Sequence, residues 1–173
     1  FEKFPGAKDR LTTSMKSAGE TMSIGRTFKE SLQKALRSLE IGRYGLGSDT
    51  RNPVEEDCDM HEIEEGLINP NSKRLFYVRR AFKLGFSLER IHELSMIDPW
   101  FLFNIKQIHE MEEELKRLSA DGRGPETWDD DFFKQVKQYG FSDIQLANIF
   151  KVKEQDIRGL RKARGITPVY KLV

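Results

Sequence analysis

The three histidines are the first residues in this sequence that could support metal or acid–base chemistry. His61, His92 and His109 are each followed directly by a glutamate. None of them begins the His-Glu-x-x-His spacing, which places two imidazoles on one helical face to bind zinc. A thiolate zinc cluster is excluded because Cys58 is the single cysteine. We therefore expect no metal site, and we interpret the histidines as solvent-facing residues of helices.

Patterns for phosphate binding and nucleophilic catalysis are also missing. The sequence contains neither Gly-x-Gly-x-x-Gly nor Gly-x-x-x-x-Gly-Lys-[Ser/Thr], the loops whose backbone amides hold phosphates. Ser17, Ser23 and Cys58 have no nearby base that would activate them. Seven acids and no lysine or arginine lie between residues 55 and 65, but nothing apolar surrounds them to raise a pKa, so a solvated face is favoured. We expect no catalytic residue and no bound cofactor in this chain.

A basic segment near the C-terminus suggests a different class of function, nucleic-acid binding. Residues 142–165 have the pattern of a helix-turn-helix. The second helix carries four bases, Arg158, Arg161, Lys162 and Arg164. It opens, however, with Glu154 and Asp156, where DNA contacts are usually made, and these carboxylates would repel phosphates. A nucleic-acid-binding module is therefore the alternative, and a packed helical pair with a basic outer face is favoured.

Composition limits the remaining classes of protein. With 173 residues, 38% of them apolar and 12 of them Phe, the chain can fill the core of a compact domain. Its net charge is +1, so no overall field attracts nucleic acid or an acidic membrane. No apolar run approaches the ~20 residues that span a bilayer. We expect a cytoplasmic protein with no membrane partner, and the single cysteine fits a reducing compartment.

Helical patterns fill almost the whole sequence and predict an all-α, irregular bundle of about six to eight helices. Thr27 and Glu30 form a capping box, and an apolar stripe follows it. The stripe includes Phe28, Leu32, Leu36 and Leu39. Residues 43–58 read as a loop. Further helices are predicted at about 59–66, 72–84, 88–94, 99–118, 127–139, 142–150 and 154–164.

Two Gly-Phe-Ser triplets, at 85–87 and 140–142, repeat the same joint between helices. In each, the glycine accepts a left-handed turn, the phenylalanine tucks under the joint and the serine caps the next helix. Only residues 1–4 and 167–173 could form strands. We therefore expect short non-helical stubs of neighbouring domains at both ends.

Three blocks of residues are less generic than the helical pattern. Residues 11–28 read Leu-Thr-Thr-Ser-Met-Lys-Ser-Ala-Gly-Glu-Thr-Met-Ser-Ile-Gly-Arg-Thr-Phe, 95–102 read Ser-Met-Ile-Asp-Pro-Trp-Phe-Leu, and 166–171 read Ile-Thr-Pro-Val-Tyr-Lys. They resemble the large chain of carbamoyl-phosphate synthetases, at the end of its first half, its helical middle region and the opening of its second half. Ser14 departs from the glutamine more usual in that family.

The resemblance implies a division of the chain and a function for its parent. Residues 1–25 would be the end of the first ATP-grasp half, 26–165 a helical oligomerisation domain, and 166–173 the junction to the second half. The family's enzymes are ligases of pyrimidine and arginine biosynthesis that make carbamoyl phosphate from bicarbonate, glutamine-derived ammonia and two ATP. The implied partners are the two ATP-grasp halves, which bind ATP with Mg²⁺ or Mn²⁺, a glutaminase subunit or domain, and further copies of the chain.

The resemblance also implies two sets of candidate residues. An internal tunnel carries carbamate through the family's large chain, and Glu20, with Lys16 and Arg26, would lie near it at the interdomain step. A salt bridge from Glu20 to Lys16 or Arg26 is the alternative. The candidate oligomer interface is the stripe of the first helix, formed by Phe28, Leu32, Leu36 and Leu39.

Overall fold

The computed structural model describes residues 6, 8–17, 20–49 and 56–169. Within these ranges all regular secondary structure is helical, which confirms the predicted all-α class. The eight α-helices are α1 Phe28–Ser38, α2 Met60–Ile68, α3 Arg74–Lys83, α4 Leu88–Ser95, α5 Pro99–Ala120, α6 Asp130–Gln138, α7 Asp143–Phe150 and α8 Glu154–Ala163. The possible strand at 1–4 lies outside the described residues, as does 170–173, and Thr167–Val169 contain no strand.

Helix starts follow the capping residues closely. Ser142 caps α7 by accepting from the amide of Gln145, whose side chain accepts from the Ser142 amide in return. At α1, Thr27 accepts from the amide of Glu30 as expected, but the Glu30 carboxylate accepts from the amide of Arg26 at 2.9 Å. The return hydrogen bond of the predicted capping box therefore comes from the amide of Arg26, one residue before Thr27.

The predicted helix 127–139 begins later than expected. A short 3₁₀ turn occupies Pro125–Thr127, and α6 begins only at Asp130. Asp129 is the N-cap, and its carboxylate accepts from the amide of Phe132 at 2.7 Å. The cause is Trp128, which is buried in extended conformation between the turn and the helix. Burial of Trp128 and the cap at Asp129 thus move the start of the helix from the expected Thr127 to Asp130.

The chain folds into two compact units that interleave along the sequence. The first unit comprises Phe1–Met22 and Arg51–Glu110, and the second comprises Ser23–Thr50 and Met111–Val173. Helix α5 contributes its first half to the first unit and its second half to the second. Each unit is therefore built from two separate stretches of chain.

The first unit packs α2, α3 and α4 with the start of α5. Its fully buried side chains include Ile63, Leu67, Val78, Ile91 and Leu102. Helices α2 and α3 approach closely at Gly66, where an added Cβ would lie 2.4 Å from the ring of Tyr77. A glycine is required there because any side chain would overlap that ring.

The second unit packs α1, the second half of α5 and α6–α8 around aromatic residues. Trp128 makes edge-on contacts with Phe132, Phe133 and Phe150, with ring centroids 5.1–5.3 Å apart. Such edge-on pairs are more favourable than their buried area alone implies. Phe141 and Leu146 complete the buried centre.

Both Gly-Phe-Ser joints form as predicted. Gly85 and Gly140 have φ values of +84° and +87°, the left-handed region that favours glycine. The serine after each accepts a backbone hydrogen bond and caps the next helix. Their surroundings differ, since Phe141 is 2% exposed whereas Phe86 is only half-buried.

Candidate functional site

The segment that precedes α1 is fastened to the helix by side-chain hydrogen bonds. Ser23 donates through Oγ to the carbonyl of Ser31 at 2.7 Å, and Lys34 donates through Nζ to the carbonyl of Ile24 at 3.1 Å. A Cβ on Gly25 would lie 2.7 Å from the backbone nitrogen of Ser31. The backbone therefore comes close to α1 at Gly25, where a larger residue would overlap the helix.

The apolar stripe of α1 divides between the core and the solvent. Leu36 is 2% exposed, so its surface is already used inside the second unit, while Phe28 and Leu32 are half-buried. Leu39, just after the helix, is 45% exposed. Ile41 follows it at 41% exposure. The accessible apolar surface of this predicted interface is therefore at the C-terminal end of α1.

Two buried glutamines hold the loop 43–49 against α1 and α7. The Gln33 carbonyl oxygen accepts from the amide of Leu46 at 2.8 Å and from Nε2 of Gln145 at 3.4 Å. Gln145 Nε2 also donates to the carbonyl of Gly47 at 2.9 Å. Both glutamines are fully buried, and a Cβ on Gly45 would lie 2.3 Å from the Gln33 oxygen. The sequence could not reveal this pair, because the glutamines are 112 residues apart.

Asp143 joins α6, α7 and α8 through two cations. Its carboxylate accepts from Lys137 at 2.8 Å and from Arg161 at 3.0 Å. Burial would raise the pKa of Asp143, but Arg161 and Lys137 outweigh it and hold that pKa below its usual range. The same region includes Arg37, which donates to the carbonyl of Gly140 at 3.0 Å. These groups form a structural joint, and their charges are used in contacts within the second unit.

The basic face predicted for α8 is only half formed. Arg161 is buried against Asp143. Arg164 donates to the carbonyls of Trp128 and Glu126 at 2.5 and 2.7 Å. Two of the four cations that a recognition helix would present thus point into the second unit, and the expectation that α8 displays all four is wrong. The nucleic-acid alternative loses its main support.

The acidic stretch is not a solvated face throughout, and Glu56 departs from that expectation most clearly. Glu56 binds Arg79 at 2.7 Å, Arg80 at 3.1 Å and Lys83 at 2.6 Å, all from α3. Burial alone would raise the pKa of Glu56, but the hydrogen bonds from Lys83 and Arg79 lower it to about 2. Glu56 therefore fixes its segment to α3. Glu64 is half-buried and pairs with Arg90 at 2.8 Å, whereas Asp57, Asp59, Glu62 and Glu65 are exposed.

The histidines have different environments. His61 is exposed, as expected. His92 is half-buried with Nδ1 2.8 Å from the carbonyl of Ile97, and half-buried His109 stacks on Phe82 with ring centroids 6.5 Å apart. The solvent-facing interpretation is wrong for these two, because each packs within the first unit. That the chain holds no metal remains a prediction.

The candidate interdomain residues are all on the surface. Lys16 is exposed and donates through Nζ to the carbonyl of Arg10 at 2.7 Å. The side chains of Glu20 and Arg26 are exposed. The tunnel assignment and the alternative of a salt bridge from Glu20 to Lys16 or Arg26 stay predictions.

Membrane insertion finds no support in the described helices. None of them combines the length and the apolar character that a crossing of the bilayer requires.

Comparison with known proteins matches the chain to one family. A family model for the carbamoyl-phosphate synthetase large chain, oligomerisation domain, matches residues 20–165. The carbamoyl phosphate synthase large chain of Archaeoglobus fulgidus is 48% identical over 173 residues, which are 100% of this chain and 16% of that protein.

Two further relatives are N-terminal sections of that large chain. The one from Aquifex aeolicus is 46% identical over 99% of this chain and 28% of its own length. The one from Methanopyrus kandleri is 46% identical over 100% of this chain and 31% of its own length. The chain thus spans 16–31% of these three relatives. It belongs to the carbamoyl-phosphate synthetase large-chain family, and it matches the oligomerisation domain of that family.

Proposed function

We propose that this chain is the interdomain and oligomerisation region of an enzyme that makes carbamoyl phosphate from bicarbonate, glutamine-derived ammonia and two ATP. The observation that carries this proposal is the match of residues 20–165 to the oligomerisation domain, together with similarity over the entire chain. Residues 1–25 would end the first ATP-grasp half, and 166–173 would open the second. The relatives share this region with much longer sequences, in which ATP and Mg²⁺ or Mn²⁺ would be bound.

The proposed role of this region is structural rather than catalytic. Several of its buried polar side chains make internal contacts that hold segments together. Glu112, for example, is 2% exposed and binds Ser48 at 2.7 Å and Lys116 at 3.1 Å. The parent enzyme would be cytoplasmic, would receive ammonia from a glutaminase subunit or domain, and would serve pyrimidine and arginine biosynthesis.

Self-association is proposed to use the exposed end of α1. Leu39 and Ile41 offer apolar area there, Phe28 and Leu32 are half-buried earlier on the same helix, and Leu36 is buried in the core. A two-fold interface places the same patch on both copies, so one substitution alters both sides of the contact.

Substitution of Leu39 by glutamate in the complete large chain tests this interface. A carboxylate at the centre of an apolar contact is costly to bury, so we expect the particle mass to fall. Val152→Glu is the matched control, since Val152 lies in the same unit and is 43% exposed against 45% for Leu39. Multi-angle light scattering would give the masses. Equal masses for the two variants would contradict the interface.

Glu20 is proposed to lie beside the path of carbamate. Its exposed carboxylate could repel the anion from the wall or accept a proton from carbamic acid. With Glu20→Gln and Glu20→Trp in the complete enzyme, both partial ATPase reactions should persist while synthesis of carbamoyl phosphate falls, more severely for Trp. A joint decline of synthesis and both partial reactions would assign Glu20 a structural role instead.

A further inference from the structure

The turn that joins α2 to α3 is held in place by its own side chains. Residues 69–72 are called the α2–α3 corner. Asn71 donates through Nδ2 to the carbonyls of Gly66 and Asn69 at 3.0 and 2.7 Å, and its side-chain oxygen accepts from the amide of Lys73 at 2.9 Å. A surface fixed in this way loses little conformational freedom when another segment binds to it.

The α2–α3 corner binds the segment of residues 8–17 through three hydrogen bonds. The Asp9 carboxylate accepts from the amide of Ser72 at 3.0 Å and from Ser72 Oγ at 2.7 Å. The amide of Leu11 donates to the carbonyl of Pro70 at 2.8 Å. Because Asp9, Leu11 and Ser72 are all exposed, burial contributes little to this contact. Its strength therefore depends on the hydrogen bonds.

Asp9 provides the larger part of this binding. Hydrogen bonds to an ionised acceptor are stronger than bonds between neutral groups, and Asp9 accepts two of them. Water competes for both at an exposed position, so each adds only modestly to stability. The contact is thus closed most of the time but can open without unfolding the first unit.

The same stretch of chain is fastened a second time, further along, in the second unit. There Ser23 and Ile24 are bound to α1 through the hydrogen bonds with Ser31 and Lys34. Opening of the contact at Asp9 would leave this second contact in place. It would therefore free the residues that come before Ser23 while the chain remains attached to α1.

We propose that Asp9 is a positioning residue that holds the end of the first ATP-grasp half on the α2–α3 corner. This inference rests on the proposed function, in which residues 1–25 end that half. The first half has to keep its place in the large chain if carbamate is to reach the second half. Asp9 acts through Ser72 and takes no part in the chemistry.

Limited trypsin digestion of the complete large chain tests the contact. Cleavage after Arg10 separates the first half from the rest of the chain, and it requires residues 8–11 to leave the corner. Loss of two charge-assisted hydrogen bonds should make Asp9→Ala cleave there about tenfold faster. Asp9→Asn keeps an acceptor of the same shape and should stay close to the unchanged enzyme. Asp57→Ala, at an exposed aspartate of the same unit, is the matched control.

A double-mutant cycle identifies the partner of Asp9. Ser72→Ala removes the hydroxyl donor but keeps the backbone amide, so it should speed the cleavage less than Asp9→Ala does. Once Asp9 is gone, loss of the hydroxyl should add nothing. The double variant should therefore be cleaved as fast as Asp9→Ala alone.

The balance between ATP use and product tests the positioning role. With ammonium and bicarbonate supplied, the Asp9→Ala enzyme should keep both partial ATPase reactions and consume more ATP for each carbamoyl phosphate formed. Asp9→Asn should restore the ratio of the unchanged enzyme. A residue that only supports the fold would lower synthesis and both partial reactions together.

Four outcomes would overturn the proposal. Equal cleavage after Arg10 in the Asp9→Ala and Asp57→Ala enzymes would mean that Asp9 holds nothing. Additive effects of Asp9→Ala and Ser72→Ala would mean that Asp9 acts elsewhere. Faster cleavage with an unchanged ATP ratio, or a joint decline of all three reactions, would remove the positioning role. Failure of the proposed function would appear separately, as an unchanged enzyme that makes no carbamoyl phosphate, and would overturn both proposals.

Discussion

Replacement of Gly140 by alanine should destabilise the second unit more than the same replacement of Gly85 destabilises the first. The two glycines have nearly equal φ values, +87° and +84°. The left-handed conformation costs a non-glycine residue about 1–2 kcal/mol. Part of that is offset, by about 0.4–1 kcal/mol, because alanine has less freedom in the unfolded chain. Backbone strain alone therefore predicts a loss of about 1 kcal/mol at either site.

The two variants should differ in unfolding free energy because the surroundings of the two glycines differ. A Cβ at Gly85 would have nothing within 4 Å, whereas one at Gly140 would lie 2.7 Å from the Cβ of Gln33 and 3.1 Å from the Cα of Glu30. Both neighbours belong to α1, which cannot move without disturbing the pair formed by Gln33 and Gln145. Overpacking of this kind costs a further ~1–3 kcal/mol. Gly140→Ala should therefore lose about 2–4 kcal/mol.

Urea unfolding measures this difference directly. Trp100 and Trp128 are the two tryptophans of the chain, one in each unit. In a Trp100→Phe background, fluorescence reports the second unit, and far-ultraviolet circular dichroism reports the loss of helix. We expect Gly140→Ala to shift the fluorescence transition strongly and Gly85→Ala to leave it in place. Equal losses of unfolding free energy for the two variants would refute the close contact with α1.

Two further substitutions test the charged joints. The pKa of Glu56 is lowered from 4.5 to about 2, so the ionised carboxylate adds about 3 kcal/mol to the free energy of unfolding. This contribution is complete above pH 5, and about 2 kcal/mol of it is lost by pH 3. Glu56→Gln should flatten this part of the pH dependence in urea titrations, and an unchanged slope would contradict the assignment. Arg161→Met should lower the unfolding free energy by about 2–3 kcal/mol because it leaves Asp143 short of a partner, while exposed Arg158→Met should change it by less than about 0.5 kcal/mol. Similar midpoints for the two arginine variants in thermal denaturation would contradict the joint.

Helix positions could be predicted where the residues that begin and end the helix lie close together in the sequence. The starts of α4, α5, α7 and α8 match the expected positions within a residue, because a capping side chain and a glycine stop act over a few residues. The predicted start of α6 was wrong because it depends on residues that are distant in the sequence. Burial of Trp128, which depends on residues distant in sequence, decided where that helix begins.

The candidate site was predictable only in part. The stripe of α1 is visible from its spacing, but the contrast between buried Leu36 and exposed Leu39 depends on what the fold places against the helix. The ion pairs of Arg161 with Asp143 and of Glu56 with α3 could not be predicted either. The sequence does not distinguish a solvated charge from one that pairs with a distant residue. The proposed function came from the family resemblance, because local chemistry did not indicate it.

The interleaving of the two units has a consequence for the order in which the protein folds during synthesis. The second unit needs α1 and also α7, and the contact between Gln33 and Gln145 spans 112 residues. At a translation rate of about 5–20 residues per second, the ribosome needs roughly 6–20 s to make that stretch. During this time the chain of the first unit is completed, while Gln33 of α1 has no Gln145 to contact. The side of α1 that carries Gln33 thus stays uncovered by α7 for some seconds in the nascent chain, which gives a chaperone time to bind α1.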